Sequence, residues 1–273
     1  MRIKLINLAS YPAPIRLVTF LLVLLLLWLP IAAPIHFGIA DRNLVTILTM
    51  GLLFIEFIIL LNVWGNKVYR QPYLYKIYGL VGTRQNFLDL LKGLDIGLLF
   101  VFGLFTLEGL LGWVSWQGSY QLPRMIIEGF VSAIGIGLAE ELVFRGWLLD
   151  ELERNYRPNT VIWANSIIFA SLHFIKPLPE MVRTLPTFPA LLLLGLTLVW
   201  AKRGSKGRLG MSIGLHAGLV WGYYIINVGQ LVQFSQRVPE WITGIDRNPL
   251  AGVMGLIFLG VLGFWMRKRA KLV

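Results

Sequence analysis

The chain has 273 residues, of which 56% are hydrophobic and only 14% are charged, and its mean hydropathy is +0.70. Soluble domains average about 45–50% apolar and about 25% charged residues, so this composition excludes an ordinary soluble domain and predicts a polytopic membrane protein. The net charge of +11 does not indicate nucleic-acid binding, because the basic residues are scattered through short loops between apolar segments. The absence of cysteine excludes disulfides, thiol nucleophiles and cysteine metal ligands.

Eight apolar segments follow one another along the chain, and most are near the roughly 20 residues that a membrane-spanning helix needs. They lie at about 15–35, 44–64, 95–116, 125–149, 160–175, 188–201, 208–228 and 249–266. We therefore predict an all-α fold, a polytopic membrane helical bundle of about eight transmembrane helices. No repeat or long linker divides the chain, so residues 1–273 are predicted to form a single membrane domain.

The basic residues predict how these helices are oriented. Alternate loops, counted from the N-terminal segment that carries Arg2 and Lys4, hold three times as many basic residues as the opposite loops. Cytoplasmic loops are enriched in Lys and Arg, so this asymmetry favours a multi-pass integral membrane protein with both termini in the cytoplasm. The first segment begins like a secretory signal, but its apolar stretch is long and Pro34 follows the small residues Ala32 and Ala33, so we expect no cleavage.

The apolar segment at 125–149 contains the charged stretch EELVFR at 140–145. Each charge costs roughly 2.5–3.5 kcal/mol near the membrane centre, so such groups usually face a protein interior and often mark function. Glu141 and Arg145 are four residues apart with the acid first, which is the favourable order for a helical ion pair. Glu140 lies about 100° around the helix. It has no local partner, so a residue elsewhere in the chain must satisfy it.

Two of the three histidines, His173 and His216, lie within later apolar segments, whereas His36 is predicted to lie in an external loop. Depth can be counted inward from loops on the same predicted side, at about 1.5 Å per helical residue. Glu140 is then about 15 Å deep, His173 about 20 Å and His216 about 12 Å. The three side chains fall in one layer near mid-membrane, and we expect them to share a hydrated internal site.

A glutamate and two histidines together are suited to activating water. A carboxylate in a protein interior is a competent general base, and a neutral imidazole orients the water or donates to a developing oxyanion. The same three residues, Glu140, His173 and His216, are also the residue types of a His₂Glu zinc site with water in the fourth position. Residue types do not separate these schemes. Two alternatives therefore stay open, no obligatory cofactor or a divalent metal such as zinc.

These motifs resemble those of the CPBP family, the CaaX-processing and bacteriocin-processing (Abi) intramembrane proteases, also called type II CaaX prenyl endopeptidases. EELVFR fits the family pattern EExxxR, residues 169–173 fit FxxxH, and a later intramembrane histidine stands at position 216. The resemblance covers about residues 120–230, which we take as the protease-like core. It implies a polytopic α-helical fold, a membrane-embedded cavity and peptide-bond hydrolysis.

The resemblance also implies a role for each candidate residue. Glu140 matches the acid that activates water, and His173 matches its partner in holding that water. Glu141 and Arg145 match the second acid and the arginine of the first motif. His216 matches the histidine that stabilises the oxyanion together with a following asparagine.

One position departs from the family pattern, which expects His-x-x-x-Asn or His-x-x-x-Asp where this chain has Val220. Asn227 lies about 16 Å along the helix from His216, too far to substitute in a straight helix. Asn165 and backbone N–H groups stay open as replacements. Losing one oxyanion donor lowers kcat by about 10²–10³. Val220 is therefore compatible with three alternatives: a slower enzyme, a site in which another group supplies the donor, or a protein with another activity.

The predicted function is that of an intramembrane endopeptidase acting on a membrane-associated protein or peptide, with the lipid bilayer as its other partner and no nucleic acid. The alternative that Val220 favours is a non-catalytic membrane scaffold or assembly factor that retains the protease fold. A proton-coupled transporter is the third hypothesis, because Glu56, Glu108 and Glu128 lie in or near other apolar segments.

Overall fold

The computed structural model describes residues 5–272, and most of them are helical, which confirms the predicted all-α helical bundle. The α-helices are α1 (Ala13–Gly38), α2 (Arg42–Trp64), α3 (Leu74–Ile77), α4 (Arg84–Leu110), α5 (Leu122–Glu141), α6 (Leu149–Glu153), α7 (Pro158–Leu172), α8 (Leu178–Thr184), α9 (Phe188–Arg203), α10 (Gly210–Asn227), α11 (Glu240–Thr243) and α12 (Val253–Lys271). Short 3₁₀ segments lie at Leu5–Ser10, Leu185–Thr187, Ile245–Arg247 and Pro249–Ala251. Two π-helical segments, Gly65–Tyr69 and Leu142–Leu148, continue α2 and α5.

Several helices are long and apolar enough to cross a membrane, which identifies an integral membrane protein. Within the described residues they are Ala13–Gly38, Arg42–Tyr69, Arg84–Leu110 and Leu178–Arg203. The last of these joins α8 to α9, so the short predicted segment at 188–201 is lengthened by its N-terminal flank. The count of eight spans and the cytoplasmic placement of both termini stay predictions. The prediction for the N-terminus used Arg2 and Lys4, and both residues lie outside the described part of the chain.

Helix α4 differs at both ends from the apolar segment predicted at 95–116. It begins at Arg84 and ends at Leu110. The chain then forms a short strand, β1 (Val114–Trp116), which pairs in antiparallel register with β2 (Val232–Phe234). The prediction of helix through residue 116 was therefore wrong, because hydrogen bonding to a strand more than a hundred residues away competes with the apolar local sequence.

The polar first turns of α4 are helical because their side chains find partners. The hydroxyl of Thr83 accepts a hydrogen bond from the backbone N–H of Asn86 at 3.2 Å, capping the helix. Asn86 in turn accepts from the backbone N–H of Gly210 at 2.7 Å, and Asp89 pairs with Arg208 at 2.8 Å. These contacts fix the start of α4 against the start of α10.

The chain divides into two compact units, and the first comprises Met1–Ile77 with Asp150–Tyr156. Its core lies between α1 and α2, where the ring of Phe20 packs edge-on against Phe57 at 5.8 Å and Trp64 at 5.2 Å. Aromatic pairs in this geometry contribute about 0.5–1.5 kcal/mol each beyond the burial of their surface.

A buried ion pair also holds the first unit together. The Nε atom of Arg16 donates to Glu151 at 2.8 Å, and its Nη2 atom donates to the backbone carbonyl of the same residue at 3.0 Å. The hydroxyl of Tyr69 donates to the other carboxylate oxygen of Glu151. Arg16 and Glu151 are only 2% and 1% exposed, so their opposite charges are paired out of contact with water.

The second unit comprises Tyr78–Leu149 with Arg157–Val273 and contains all the predicted site residues. Helices α4 and α10 approach each other closely in it. A Cβ atom on Gly214 would lie 1.9 Å from the carbonyl oxygen of Leu90, and one on Gly93 would lie 2.5 Å from that of Met211. Small residues allow such backbone contact between membrane helices, and here the contact fixes α10, the helix that carries His216. The prediction of a single domain over 1–273 stays a prediction.

Candidate active site

Glu140 and the two intramembrane histidines meet at one point of the second unit. Glu140 is the second-to-last residue of α5, His173 directly follows α7, and His216 lies in the middle of α10. The Oε2 atom of Glu140 is 3.8 Å from Nε2 of His173 and 3.9 Å from Nε2 of His216. These distances are too long for direct hydrogen bonds and suit groups that are bridged by a water molecule.

The two adjacent acids have different environments. The Oε2 atom of Glu140 is buried, and within the described part of the chain it accepts no hydrogen bond. An unsatisfied buried acceptor carries a desolvation penalty of about 1–3 kcal/mol or more, so this oxygen requires a donor. The side chain of Glu140 is nevertheless 31% exposed, whereas that of Glu141 is fully buried. Glu140 is therefore the acid that a substrate can reach.

Glu141 lies in a buried network with Arg145 and His216. Its Oε1 atom accepts a hydrogen bond from Nη1 of Arg145 at 3.0 Å, so the ion pair expected from their spacing is present. The same oxygen is 2.9 Å from Nδ1 of His216. The Nη2 atom of Arg145 donates to the carbonyl oxygen of Gly195 at 3.2 Å. An ionised Glu141 can only accept hydrogen bonds, so Nδ1 of His216 is the donor in this contact.

The ring of His173 is oriented by its own helix. Its Nδ1 atom is 2.8 Å from the carbonyl oxygen of Phe169, and a carbonyl oxygen can only accept a hydrogen bond. Nδ1 therefore carries the hydrogen, and in the neutral ring Nε2 presents its lone pair. The same reasoning applies to a neutral His216. Both imidazoles thus turn an Nε2 acceptor toward Glu140.

Phe169, which sequence reasoning found only as the first position of FxxxH, packs the site together. Its ring centroid lies 4.6 Å from that of His173 and 6.3 Å from that of His216. The guanidinium of Arg145 lies 4.2 Å from the centroid of the same ring, which is a cation–π distance. The phenylalanine therefore contacts residues of all three motifs, and its position four residues before His173 places both on one helix face.

The π-helical segment Leu142–Leu148 begins directly after the two acids. Its carbonyl oxygens at Phe144 and Arg145 accept side-chain hydrogen bonds, from Nδ2 of Asn165 at 2.7 Å and from Nζ of Lys202 at 2.6 Å. Such bulges are frequent at functional sites. The topology prediction counted Lys202 as a loop residue, which was wrong, because α9 includes it and buries its amine against this segment.

The cluster of Glu140, His173 and His216 opens into a cavity of about 280 Å³, which we call the catalytic cavity. Its walls are mostly leucine, phenylalanine and valine, and Val220 belongs to them. Val220 also packs against the buried cluster of Leu94, Ala133 and Ala217. A mostly apolar wall with a few convergent polar groups is typical of a site that holds an apolar part of a substrate.

Neither asparagine considered as a replacement at position 220 lines the catalytic cavity. Asn227 lines a different cavity, beside β2, of about 640 Å³. Asn165 donates its amide to Phe144, as described above. Among the described residues, the polar side chains that line the catalytic cavity besides the acid and the two histidines are Tyr223 and Asn248.

The three candidate metal ligands do not form a ready zinc site. Zinc bonds to histidine nitrogen and carboxylate oxygen are about 2.0–2.2 Å, so neighbouring donors around a tetrahedral zinc lie about 3.3–3.5 Å apart. The two separations from Glu140 Oε2, 3.8 and 3.9 Å, are wider. Within residues 5–272, no group of three or more His, Cys, Asp or Glu side chains is arranged to hold a metal ion.

The central part of the chain is similar to a known protein family. The family model described as type II CAAX prenyl endopeptidase Rce1-like matches residues 121–222, a range that contains Glu140, His173 and His216. The biotin transporter BioY of Rhodobacter capsulatus is 34% identical over 71 residues, which are 25% of this chain and 37% of that protein. The chain thus matches little more than a third of the length of this curated relative. No solved structure matches the chain. The match to the type II CAAX prenyl endopeptidase Rce1-like family is thus confined to residues 121–222, the part of the chain that holds the acidic pair and both intramembrane histidines.

Proposed function

We propose that the protein is an intramembrane endopeptidase that hydrolyses a peptide bond in a membrane-associated protein or peptide. The observation that carries this proposal is a single oxygen, Oε2 of Glu140, which faces the Nε2 atoms of His173 and His216 at 3.8 and 3.9 Å. The match to a family of prenyl endopeptidases supports the same type of chemistry.

Glu140 acts as the general base in this proposal. A water held by Glu140 and His173 donates one hydrogen to the carboxylate and the other to Nε2 of the imidazole. The water oxygen attacks the substrate carbonyl carbon while its proton passes to Glu140, and the carbonyl π electrons move onto the carbonyl oxygen. The tetrahedral oxyanion then collapses, the C–N bond breaks, and the proton on Glu140 passes to the leaving amine. The products are a carboxylic acid and an amine.

His216 stabilises the oxyanion when its Nε2 atom carries a proton. Glu141 accepts from Nδ1 of the same ring at 2.9 Å, so its carboxylate holds the ring with Nε2 directed toward Glu140. Arg145 donates a hydrogen bond to Glu141 at 3.0 Å and so orients that carboxylate. Glu141 and Arg145 are fully buried and have no path to a substrate, so they act as positioning residues.

The membrane arrangement that we infer places both termini in the cytoplasm and the site about halfway through the bilayer. The asymmetry of basic residues between alternate loops supports this orientation. The apolar wall of the catalytic cavity supports a substrate that is membrane-associated, since such a wall binds apolar groups better than charged ones. The bilayer is therefore the second partner of the protein.

The direct test compares Glu140→Ala with Glu128→Ala. Glu128 lies three turns earlier on the same helix and pairs with Arg124 at an exposed position, so it is a matched control outside the site. Membranes of cells that express the intact chain or either variant are compared by mass spectrometry for protein termini that depend on the protein. We expect these termini to disappear with Glu140→Ala and to persist with Glu128→Ala at equal protein levels. Unchanged termini in both Glu140→Ala and His173→Ala contradict the proposal.

A non-catalytic scaffold is the alternative that Val220 favours, because this residue removes an amide donor that the family pattern places there. Glu140→Gln distinguishes the two functions, since it keeps the size of the side chain and abolishes the base. Complementation of a deletion strain by Glu140→Gln as fully as by the intact chain supports a scaffold. Loss of complementation at normal protein level supports the endopeptidase.

Transport is a further alternative, raised by the partial similarity to a biotin transporter. Glu108 on α4 is fully buried, and neither of its carboxylate oxygens hydrogen-bonds to another described residue. An intramembrane carboxylate of this kind is found in proton relays of carriers. Biotin uptake into proteoliposomes that is lost with Glu108→Gln would favour transport. Absence of uptake by the intact chain would exclude biotin transport.

A further inference from the structure

We propose that Asn248 is a catalytic residue that donates a hydrogen bond from its side-chain amide to the oxyanion, replacing the donor that Val220 removes from α10. The proposal rests on the endopeptidase function proposed above. Without Asn248 the site lacks a permanent donor to the oxyanion, because a neutral His216 presents an acceptor at Nε2 and becomes a donor only when it is protonated. An amide N–H is a donor in every state of the site.

Asn248 lines the same cavity as Glu140, His173 and His216. It stands between the 3₁₀ segments Ile245–Arg247 and Pro249–Ala251, and its Oδ1 atom accepts a hydrogen bond from the backbone N–H of Leu250 at 3.0 Å. This contact assigns the two ends of the amide, since only the oxygen can accept. The NH₂ end is then left with both of its hydrogens, and within the described part of the chain it donates to no residue.

The loop that carries Asn248 is fixed by close backbone packing. Gly244 has a φ of +135°, and a Cβ atom on it would lie 2.3 Å from the carbonyl oxygen of Asn248. A Cβ atom on Gly252 would lie 2.7 Å from the backbone nitrogen of Gly244. The backbone N–H of Asn248 donates to Ile245 at 3.0 Å. A donor held by such a loop is preorganised, which is the condition for stabilising an oxyanion effectively.

The other polar groups near the cavity have partners or lie elsewhere. The hydroxyl of Tyr223 donates to the carbonyl oxygen of Arg247 at 3.3 Å. Asn227 lines the other cavity and Asn165 is bound to Phe144. Among the described residues, Asn248 is therefore the amide side chain that faces the catalytic cavity.

The step in which Asn248 acts involves no covalent change of its side chain. When water adds to the carbonyl carbon, the π electrons move to the carbonyl oxygen, and its negative charge accepts a hydrogen bond from Nδ2. The bond is stronger to the oxyanion than to the neutral carbonyl, so it lowers the barrier rather than the substrate Kd. Removal of one such donor lowers kcat by about 10²–10³, and we expect that loss here.

The test uses Asn248→Ala and Asn248→Ser in the full-length protein. Serine retains an oxygen that can accept the N–H of Leu250, but its hydroxyl lies one bond short of the position of Nδ2 and has a single hydrogen, so it separates the cap of the loop from the amide donor. The probe is the detergent extract of membranes from cells that express Glu140→Ala, which retain the uncleaved substrates. The rate at which the Glu140-dependent termini appear gives kcat and KM. Asn227→Ala, on the other cavity, is the control and should keep the rate of the intact chain.

We expect both Asn248 variants to lower kcat by about 10²–10³, with little change in KM and in thermal unfolding. Adding Val220→Asn to Asn248→Ala should restore at least part of the lost rate, because it returns an amide to the position that the family pattern uses. A kcat for Asn248→Ser close to that of the intact chain overturns the proposal, whether or not Asn248→Ala folds. If the extract shows no Glu140-dependent cleavage, the endopeptidase function itself fails. If cleavage depends on Glu140 but both Asn248 variants keep the rate of the intact chain, only the role of Asn248 is contradicted and the endopeptidase function stands.

Discussion

The Oε1 atom of Glu141 lies 2.9 Å from the Nδ1 atom of His216, and the same oxygen accepts a hydrogen bond from Arg145 at 3.0 Å. One carboxylate oxygen thus joins the arginine of the first motif to the histidine of the third. The pairing with Arg145 orients the Glu141 side chain, and an ionised Glu141 accepts the hydrogen of His216 at Nδ1, which determines the tautomer of the neutral ring. The second acid of the pair therefore has a defined chemical task although no substrate can reach it.

Replacement of Glu141 by glutamine should reduce activity through this contact. Glutamine has no charge to pair with Arg145, and it can turn its NH₂ group toward Nδ1, which places the hydrogen of the neutral His216 ring on Nε2. That N–H faces Oε2 of Glu140 and competes with the water for the general base. We expect kcat to fall by about 10–100-fold, the range for removing a carboxylate that orients a histidine of a site. Initial rates on the membrane extract measure this change, and Glu128→Gln on the exposed face of α5 is the control. Activity of Glu141→Gln near that of the intact chain contradicts the assigned role.

The buried ion pair should also be visible in stability. Arg145→Met leaves Glu141 buried without its cation, and breaking a buried pair in this way destabilises a protein by about 3–5 kcal/mol. The double variant Glu141→Gln/Arg145→Met removes both charges and should recover part of that loss. Thermal unfolding in detergent of the two single variants and the double variant measures the coupling. Strictly additive effects would show that the two side chains do not interact energetically.

The sequence predicted those parts of the site that depend on local spacing. The Glu141–Arg145 pair follows from four-residue spacing on one helix, and helical rise alone placed Glu140, His173 and His216 at one depth. The contact between Glu141 and His216 was missed, because it joins residues 75 positions apart whose side chains face each other only after α5 and α10 pack. Depth gives no information on rotation about a helix axis.

Other misses have the same physical origin. Lys202 was predicted to lie in a loop because its neighbours in sequence are basic. Its amine is instead buried, and it donates to a carbonyl oxygen of the π-helical segment. Residues 114–116 continue an apolar pattern but form a strand, because their partner is β2. Asn248 carries no local signal at all. It enters the catalytic cavity through a loop far from the matched motifs.

Lys202 provides a test of the π-helical segment. Its Nζ atom donates to the carbonyl oxygen of Arg145 at 2.6 Å. Lys202→Met keeps the apolar stem and leaves that carbonyl without its cationic donor, which should destabilise the protein by about 1–3 kcal/mol. We also expect lower kcat, since the segment positions Arg145. Lys206→Met, at an exposed position after α9, should change neither quantity. Equal unfolding temperatures for the two variants would contradict the structural role of Lys202.

Arg16 tests whether the first unit contributes stability without contributing chemistry. Arg16→Met removes the cation that hydrogen-bonds to the buried carboxylate of Glu151, for which we expect a loss of about 3–5 kcal/mol in the free energy of unfolding. We expect kcat of the folded fraction to remain unchanged, because all candidate site residues belong to the second unit. Arg42→Met, at an exposed helix start, is the matched control for stability. A specific loss of kcat in folded Arg16→Met protein would contradict this assignment.

The geometry around Glu140 also makes a prediction about metal. Its Oε2 atom is 3.8 and 3.9 Å from the two histidine nitrogens, wider than the roughly 3.3–3.5 Å between donors of a tetrahedral zinc. A glutamate-activated water requires no ion. We therefore expect purified active protein to contain substoichiometric zinc by elemental analysis and to retain its rate after prolonged incubation with a chelator. The control for the chelator is a zinc endopeptidase under the same detergent conditions. One zinc per chain, together with a loss of rate that added zinc reverses, would show that the three side chains move together around a metal and would replace the proposed general base by a metal-bound water.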